Sequence, residues 1–192
     1  MLEPCSFRTS TKEYLSRFYE ILDKMIHGME NAPLTNSISQ NFIVQMIPHH
    51  RAAISMSENV LQYTTCIPLQ KIASNIIAMQ TQSIHDMWNV LECCRLQTDT
   101  CQDIRLYRRT YKTITQTMFT QMDTARATNN ISETFMREMI PHHEGAVRMS
   151  ENALRYCICP ELVPILNAII TSQEAGIKQM KQLLSEQSCR PC

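Results

Sequence analysis

The chain has 192 residues with 18 basic and 18 acidic side chains, enough length for one good core or two small ones. That balance argues against a strongly basic nucleic-acid surface and against a polybasic membrane anchor. Three glycines against eight prolines and thirteen methionines, with few aromatics, point to an all-α chain.

Six helices are predicted in chain order. The first starts near Ser10, where Ser10-x-x-Glu13 has the form of a capping box, and buries Tyr14, Phe18, Ile21, Leu22 and Met25 before ending near Asn31-Ala32-Pro33. The second opens at Ser37-x-x-Gln40, carries Met46-Ile47-Pro48-His49-His50 and ends near Tyr63. The third starts at Pro68, tolerated in a first turn, and runs through Ile72, Ile76, Ile77, Ile84 and Met87 to about Cys93. Helices over about Asp103 to Arg126, Ser132 to Tyr156 and Glu161 to Glu186 repeat this order, with Asn130-x-x-Glu133 opening the fifth.

The second set of three is a copy of the first. A shift of 93 residues aligns 14–91 with 107–184 without a gap. It matches Tyr14 with Tyr107, Met25 with Met118, Met29 with Met122 and Phe42 with Phe135. Further on it matches Met56-Ser57-Glu58-Asn59 with Met149-Ser150-Glu151-Asn152, Gln80 with Gln173 and Met87 with Met180. The pentapeptide recurs as Met139-Ile140-Pro141-His142-His143, so the two copies hold four of the six histidines. Such a match implies duplication and two tandem three-helix repeats. Short turns make consecutive helices antiparallel neighbours. The expected architecture is therefore an up-and-down four-helix bundle that the two leading helices flank or join, in one domain over 1–192.

At about 100° per residue, Met46, His49, His50, Ala53 and Met56 share one helical face, and so do Met139, His142, His143, Ala146 and Met149. Pro48 leaves the Val44 carbonyl without its amide donor and is expected to bend the helix or open a turn. Topology adds Met25, Met29 and Met87 near the first His pair, and Met118, Met122 and Met180 near the second, at opposite ends of the bundle. Neutral imidazoles with thioethers suit Cu(I), or Ag(I). Two equivalent Met/His sites are expected, with the metal ion as partner. Against that stands the plain reading that core methionines fill space and histidines beside a proline cap free carbonyls. His27 and His85 lack counterparts and are expected on the surface. No Glu-x-x-His, HExxH, GxSxG or phosphate-binding glycine loop occurs, so a di-iron centre or a familiar hydrolase is not expected.

The pattern Phe42-x-x-x-Met46-Ile-Pro-His-His-x-x-Ala-x-x-Met56, followed by Ile76-Ile77-x-x-Gln80-x-x-x-Ile84-x-x-Met87, resembles the domain-of-unknown-function family 305. The likeness covers about 40–185, and His142-His143-Glu144-Gly145-Ala146 is closer still. It implies a ferritin-like four-helix bundle and a copper-associated role, because some members are exported proteins linked to copper binding or tolerance. Carried across, it marks Met46, His49, His50, Met56 and Met87 with Met139, His142, His143, Met149 and Met180. The family often has Asp three residues before the motif Phe and Glu before the third-helix isoleucine. Here those places hold Ser39 and Ser132, and Ser83 and Gly176.

Nine cysteines suggest disulfides and an oxidising compartment. No apolar run reaches the roughly 18–20 residues of a membrane span, and Met1 to Ser10 shows no signal-peptide pattern. Location stays open: extracytoplasmic or cell-surface if a leader has been removed, cytoplasmic otherwise. Topology sorts Cys5, Cys66, Cys189 and Cys192 to one end, and Cys93, Cys94, Cys101, Cys157 and Cys159 to the other. A bridge from Cys157 or Cys159 to the 93–101 region is expected, and one from Cys66 to a terminal cysteine. The leading function is soft-metal binding for buffering or resistance. The alternative is a metal-free helical module, and an enzyme ranks below both.

Overall fold

A computed structural model describes residues 7–186. Among them are six α-helices and no strand: α1 Thr9–Glu30, α2 Ile38–Leu61, α3 Ile67–Cys94, α4 Cys101–Asp123, α5 Ile131–Ala153 and α6 Val163–Ser185. No helix of the described residues is long and apolar enough to cross a membrane.

Local chemistry sets the helix starts. The Ser37 side chain accepts from the Gln40 amide, and the Asn130 side chain accepts from the Glu133 amide. Each satisfies a first-turn donor that has no partner within the helix. Thr100 caps α4 in the same way. The Ser10 capping box does not form: α1 starts at Thr9, and its N-cap residue Arg8 makes no side-chain cap bond. Pro68 and Pro164 sit in the first turns of α3 and α6, as proline's missing N–H allows.

Four helices close a ring of contacts. α2 packs on α3 and α5, and α6 packs on α5 and α3, while α1 lies on α2 and α4 on α5. The apolar faces of all six meet in one core that includes Tyr14, Phe18, Phe42, Met46, Met56, Met87, Tyr107, Phe135, Met139, Met149 and Met180. α2 and α5 are enclosed most fully, since each has neighbours on several sides.

α2 and α5 run unbroken through Pro48 and Pro141; no turn opens there. Close approach from a neighbour supports the first of these. A Cβ placed on Gly28 of α1 would lie 2.9 Å from Pro48 Cβ, so only glycine lets α1 sit this close to the proline. At Gly145 a Cβ would meet Met118 Sδ at 2.1 Å. α4 therefore packs its methionine into the notch that glycine leaves on α5.

Matching contacts recur at matching positions. Asn59 Nδ2 donates to the Tyr14 carbonyl at 3.1 Å, and Asn152 Nδ2 donates to the Tyr107 carbonyl at 3.2 Å. Tyr14 meets Tyr63 edge-on at 6.1 Å, and Tyr107 meets Tyr156 edge-on at 6.0 Å.

Candidate metal centre

α2 and α5 touch where their His pairs lie, near the middle of each helix. The rings of His49 and His142 stack with centroids 3.7 Å apart and planes inclined by 27°. His50 lies 5.9 Å from His49, and His143 lies 5.9 Å from His142. The two pairs thus form one central cluster, where two separate sites at opposite ends were expected. The physical reason is register. Met46 lies two turns inside α2, which starts at Ile38, so the motif is a mid-helix feature and meets its copy at the crossing.

All four imidazoles are buried, three of them with no exposed surface. His142 Nε2 lies 3.2 Å from the His49 carbonyl oxygen. A carbonyl can only accept, so Nε2 carries the proton and Nδ1 keeps its lone pair. That Nδ1 has no protein partner. His50 Nε2 shares a hydrogen bond with Ser83 Oγ at 3.1 Å, and its Nδ1 is also unpartnered. His143 Nδ1 and both ring nitrogens of His49 make no hydrogen bond of normal geometry, though the Met139 backbone approaches His143 and the His142 backbone approaches His49.

Burial, reinforced at His50 by His142, lowers His50 to about 3. Burial lowers His142 to about 3 as well, against a smaller upward push from its bond to the His49 carbonyl. His49 and His143 are held well below the usual imidazole range, again mainly by burial and then by neighbouring histidines. The cluster is therefore neutral at physiological pH and presents lone pairs instead of charge.

The ten candidate methionines, Met25, Met29, Met46, Met56, Met87, Met118, Met122, Met139, Met149 and Met180, are all buried in the common core. Met118 is engaged in packing against Gly145. His27 and His85 are exposed, as expected.

Two neighbours of the cluster escaped notice as site residues. Gln80 on α3 and Gln173 on α6 are equivalent positions, both buried. Neither Gln80 side-chain atom has a partner, nor does Gln173 Oε1. Both amides line a cleft of ≈ 360 Å³ between α3 and α6 that reaches His143. The signal for them was in the sequence: one amide repeated at the same place on an otherwise apolar helical face.

The four positions where the family often has carboxylates divide into two kinds. Ser39 Oγ accepts from the Cys159 amide at 2.9 Å, and Ser132 Oγ bonds Thr64 Oγ1 at 2.7 Å; both tie helix starts to connecting loops. Ser83 and Gly176 lie against the histidines. Ser83 bonds His50, and a Cβ on Gly176 would lie 3.0 Å from His143 Cδ2.

A second polar centre couples α1 to α5. The Tyr14 hydroxyl donates to Glu138 Oε2 at 2.5 Å in a buried contact. Burial pushes the Glu138 carboxyl up to about 8 and pushes Tyr14 well above its usual range. Glu138 drew no attention in the sequence because its counterpart is Gln45.

The expected bridge from Cys157 or Cys159 to the 93–101 region is not formed: Cys93, Cys94, Cys101, Cys157 and Cys159 are free thiols. Cys93 Sγ lies 3.9 Å from Cys159 Sγ, far beyond the length of an S–S bond. The expectation linking Cys66 to Cys5, Cys189 or Cys192 falls on termini outside the described residues.

Known proteins share this frame. CopM in its Cu(II)-bound form is 32% identical, with a TM-score of 0.58, over 77% of this chain and 97% of that one. CopM co-crystallised with Ag is also 32% identical, with a TM-score of 0.56, over 77% and 96% of the two chains. A DUF305 fragment from Deinococcus radiodurans, 21% identical, matches in fold with a TM-score of 0.58 over 80% and 99%. Among curated proteins, none matches. The model of the family described as Domain of unknown function (DUF305) matches residues 39–184, and the chain belongs to that family.

Proposed function

We propose that this chain binds a soft metal ion, copper or silver, and serves metal buffering or resistance. The observation that carries the reading is His49: an imidazole with no exposed surface and no hydrogen bond of normal geometry at either nitrogen, with only a weak approach to the His142 backbone. A buried polar group left unsatisfied costs about 1–3 kcal/mol. Binding an ion through those nitrogens offsets that cost. His142 Nδ1, His50 Nδ1 and His143 Nδ1 are further lone-pair donors nearby, and the core methionines are the source of thioethers. This donor set fits Cu(I) or Ag(I) better than a hard cation, which asks for oxygens. The CopM structures with Cu(II) and with Ag support the same reading.

The fold we infer is ferritin-like. It is an up-and-down bundle of α2, α3, α5 and α6 built from two tandem three-helix repeats in one domain. The paired Asn–Tyr and Tyr–Tyr contacts support it. A metal-free helical module remains the competing reading, favoured by the bonds His142 makes to the His49 carbonyl and His50 makes to Ser83.

Titration of the reduced protein with Ag(I), followed by the nitrogen resonances of the histidine rings, separates the two. Shifts at His49, His50, His142 and His143 are expected, with His27 and His85 unmoved. In the His49→Ala/His142→Ala variant, checked for helicity, shifts of the remaining His50 and His143 rings are expected to need about 100-fold more Ag(I). Ring resonances that stay in place under excess Ag(I) would establish the metal-free module instead.

A further inference from the structure

A second cluster of soft donors lies at one end of the helix ring and shares no residue with the histidines. Among the described residues, Cys93, Cys94 and Cys159 place their sulfur atoms within 4.8 Å of one another. Cys93 and Cys94 end α3, and Cys159 lies in the loop between α5 and α6. Three thiolates around one ion at about 2.3 Å stand about 4 Å apart. The 3.9 Å between Cys93 and Cys159 already meets that spacing.

The backbone under the thiols is pinned from a third element. Ser37 Oγ donates to the Cys94 carbonyl at 2.9 Å, and Ser39 Oγ accepts from the Cys159 amide at 2.9 Å. Both serines belong to the start of α2, so one helix end fixes the two strands of chain that carry the sulfurs. Gln97 also donates to the Cys157 carbonyl, tying the chain after α3 to the α5–α6 loop. A carboxylate stands beside the three-sulfur group without yet belonging to it: Glu161 Oε2 lies 3.0 Å from Cys159 Sγ and would have to move in to complete a tetrahedral shell.

Access is graded. Cys94 and Cys159 are buried, while Cys93 and Glu161 are exposed. An ion can therefore arrive from solvent through Cys93 and finish against the buried sulfurs. Burial pushes the Cys94 and Cys159 thiols up, and a thiophilic cation that replaces their protons offsets that desolvation.

We propose that Cys93, Cys94 and Cys159 form a thiolate site for a thiophilic d10 cation, Cu(I) or Zn(II), with Glu161 as the fourth donor for an ion that takes tetrahedral geometry. This site is separate from the histidine cluster, so each can fail without the other. Its donors come from the ends of α3 and from the α5–α6 loop, and only Cys159 has a cysteine counterpart in the other segment, Cys66.

The test is metal protection of thiols in the full-length, fully reduced protein. Cu(I) and, separately, Zn(II) are added anaerobically, then iodoacetamide, and each cysteine is read by peptide mass spectrometry. Cys101 and Cys157 are exposed free thiols and serve as internal controls. With either ion, alkylation of Cys93 is expected to slow by at least about tenfold, while Cys101 and Cys157 react as before. Protection by Cu(I) alone marks a three-sulfur site, and protection by Zn(II) that weakens in Glu161→Gln marks a tetrahedral one. In Cys159→Ser, Cys93 is expected to lose its protection. The His49→Ala/His142→Ala variant is expected to keep it. Equal alkylation of Cys93 with and without both ions would overturn the proposal, as would protection unchanged in Cys159→Ser or recovery of a Cys93–Cys159 disulfide from the metal-treated protein. Cys94→Ala gives a second variant should Cys159→Ser fold poorly.

Discussion

Segments 14–91 and 107–184 share a scaffold and differ in the polar groups set around it. Asn59 and Asn152 bind equivalent tyrosine carbonyls, and the two Tyr–Tyr pairs superpose to within a tenth of an ångström in centroid spacing. Where partners are polar the segments part. His50 has the Ser83 hydroxyl, while His143 faces bare Gly176 and the cleft. Tyr14 binds Glu138, while the hydroxyl of its counterpart Tyr107 and the Oε1 of Gln45 have no partner. Apolar packing and backbone contacts tolerate little change on either side, because both segments need them to close the ring. The polar partners answer to each half separately, so the two His pairs share a frame and have unequal surroundings.

The largest expected effect is common to both segments and comes from acid. His50 and His142 are held at about 3 in the folded protein, against an ordinary value of 6.5. Between those values the unfolded chain takes up protons that the folded protein refuses. Stability is therefore full above pH 6.5 and falls as pH drops toward 3, by about 1 kcal/mol per pH unit for each such histidine. Urea midpoints at pH 7, 6 and 5 measure this. A flat profile would show that acid does not distinguish the folded rings from free ones.

Glu138 acts in the opposite direction and in one segment alone. Its folded value of about 8 lies above the ordinary 4.5. The proton it retains favours the folded state at low pH, and that contribution is lost as pH rises from 4.5 through 8. Glu138→Gln, which installs the residue found at position 45, is expected to match the parent at pH 5 and to exceed it by about 2 kcal/mol at pH 9. Denaturant curves at the two values check the crossing. In this background the acid limb from the histidines is expected to stand out more steeply.

The smallest effect contrasts the two tyrosines. Tyr14→Phe leaves Glu138 buried without its donor and is expected to cost about 1–2 kcal/mol. Tyr107→Phe removes a hydroxyl that has no partner and is expected to be neutral or slightly stabilising. Equal losses from the two, by thermal or urea unfolding, would show that Tyr107 finds a partner in solution and that the segments are more alike than the contacts suggest.

Much of this was legible beforehand. Apolar spacing and the caps at Ser37 and Asn130 place all six helix starts within two residues, and the repeat marks His49, His50, His142 and His143 as a set. The crossing of α2 and α5 was not legible, because the distance from helix start to motif decides which end the motif occupies, and a two-turn difference moves it to the middle. Glu138 was hidden by the same repeat that exposed the histidines: a filter for residues present twice discards one whose counterpart is Gln. The cysteine grouping came through, since Cys93, Cys94 and Cys159 do meet. The bond expected between them did not, because proximity of chain ends fixes neighbourhood to several ångströms and a disulfide requires about two.

The cleft between α3 and α6 has a consequence for timing. It touches His143 and Gly176 and does not reach His49, which has no exposed surface. An ion leaving the inner ring through this cleft would pass the outer one. Such a path makes the dwell time of the ion a property of the gap beside Gly176, where a single added methyl group would sit 3.0 Å from the His143 ring. Affinity would be written in α2 and α5, and the rate of exchange in the two helices that carry no histidine of the cluster.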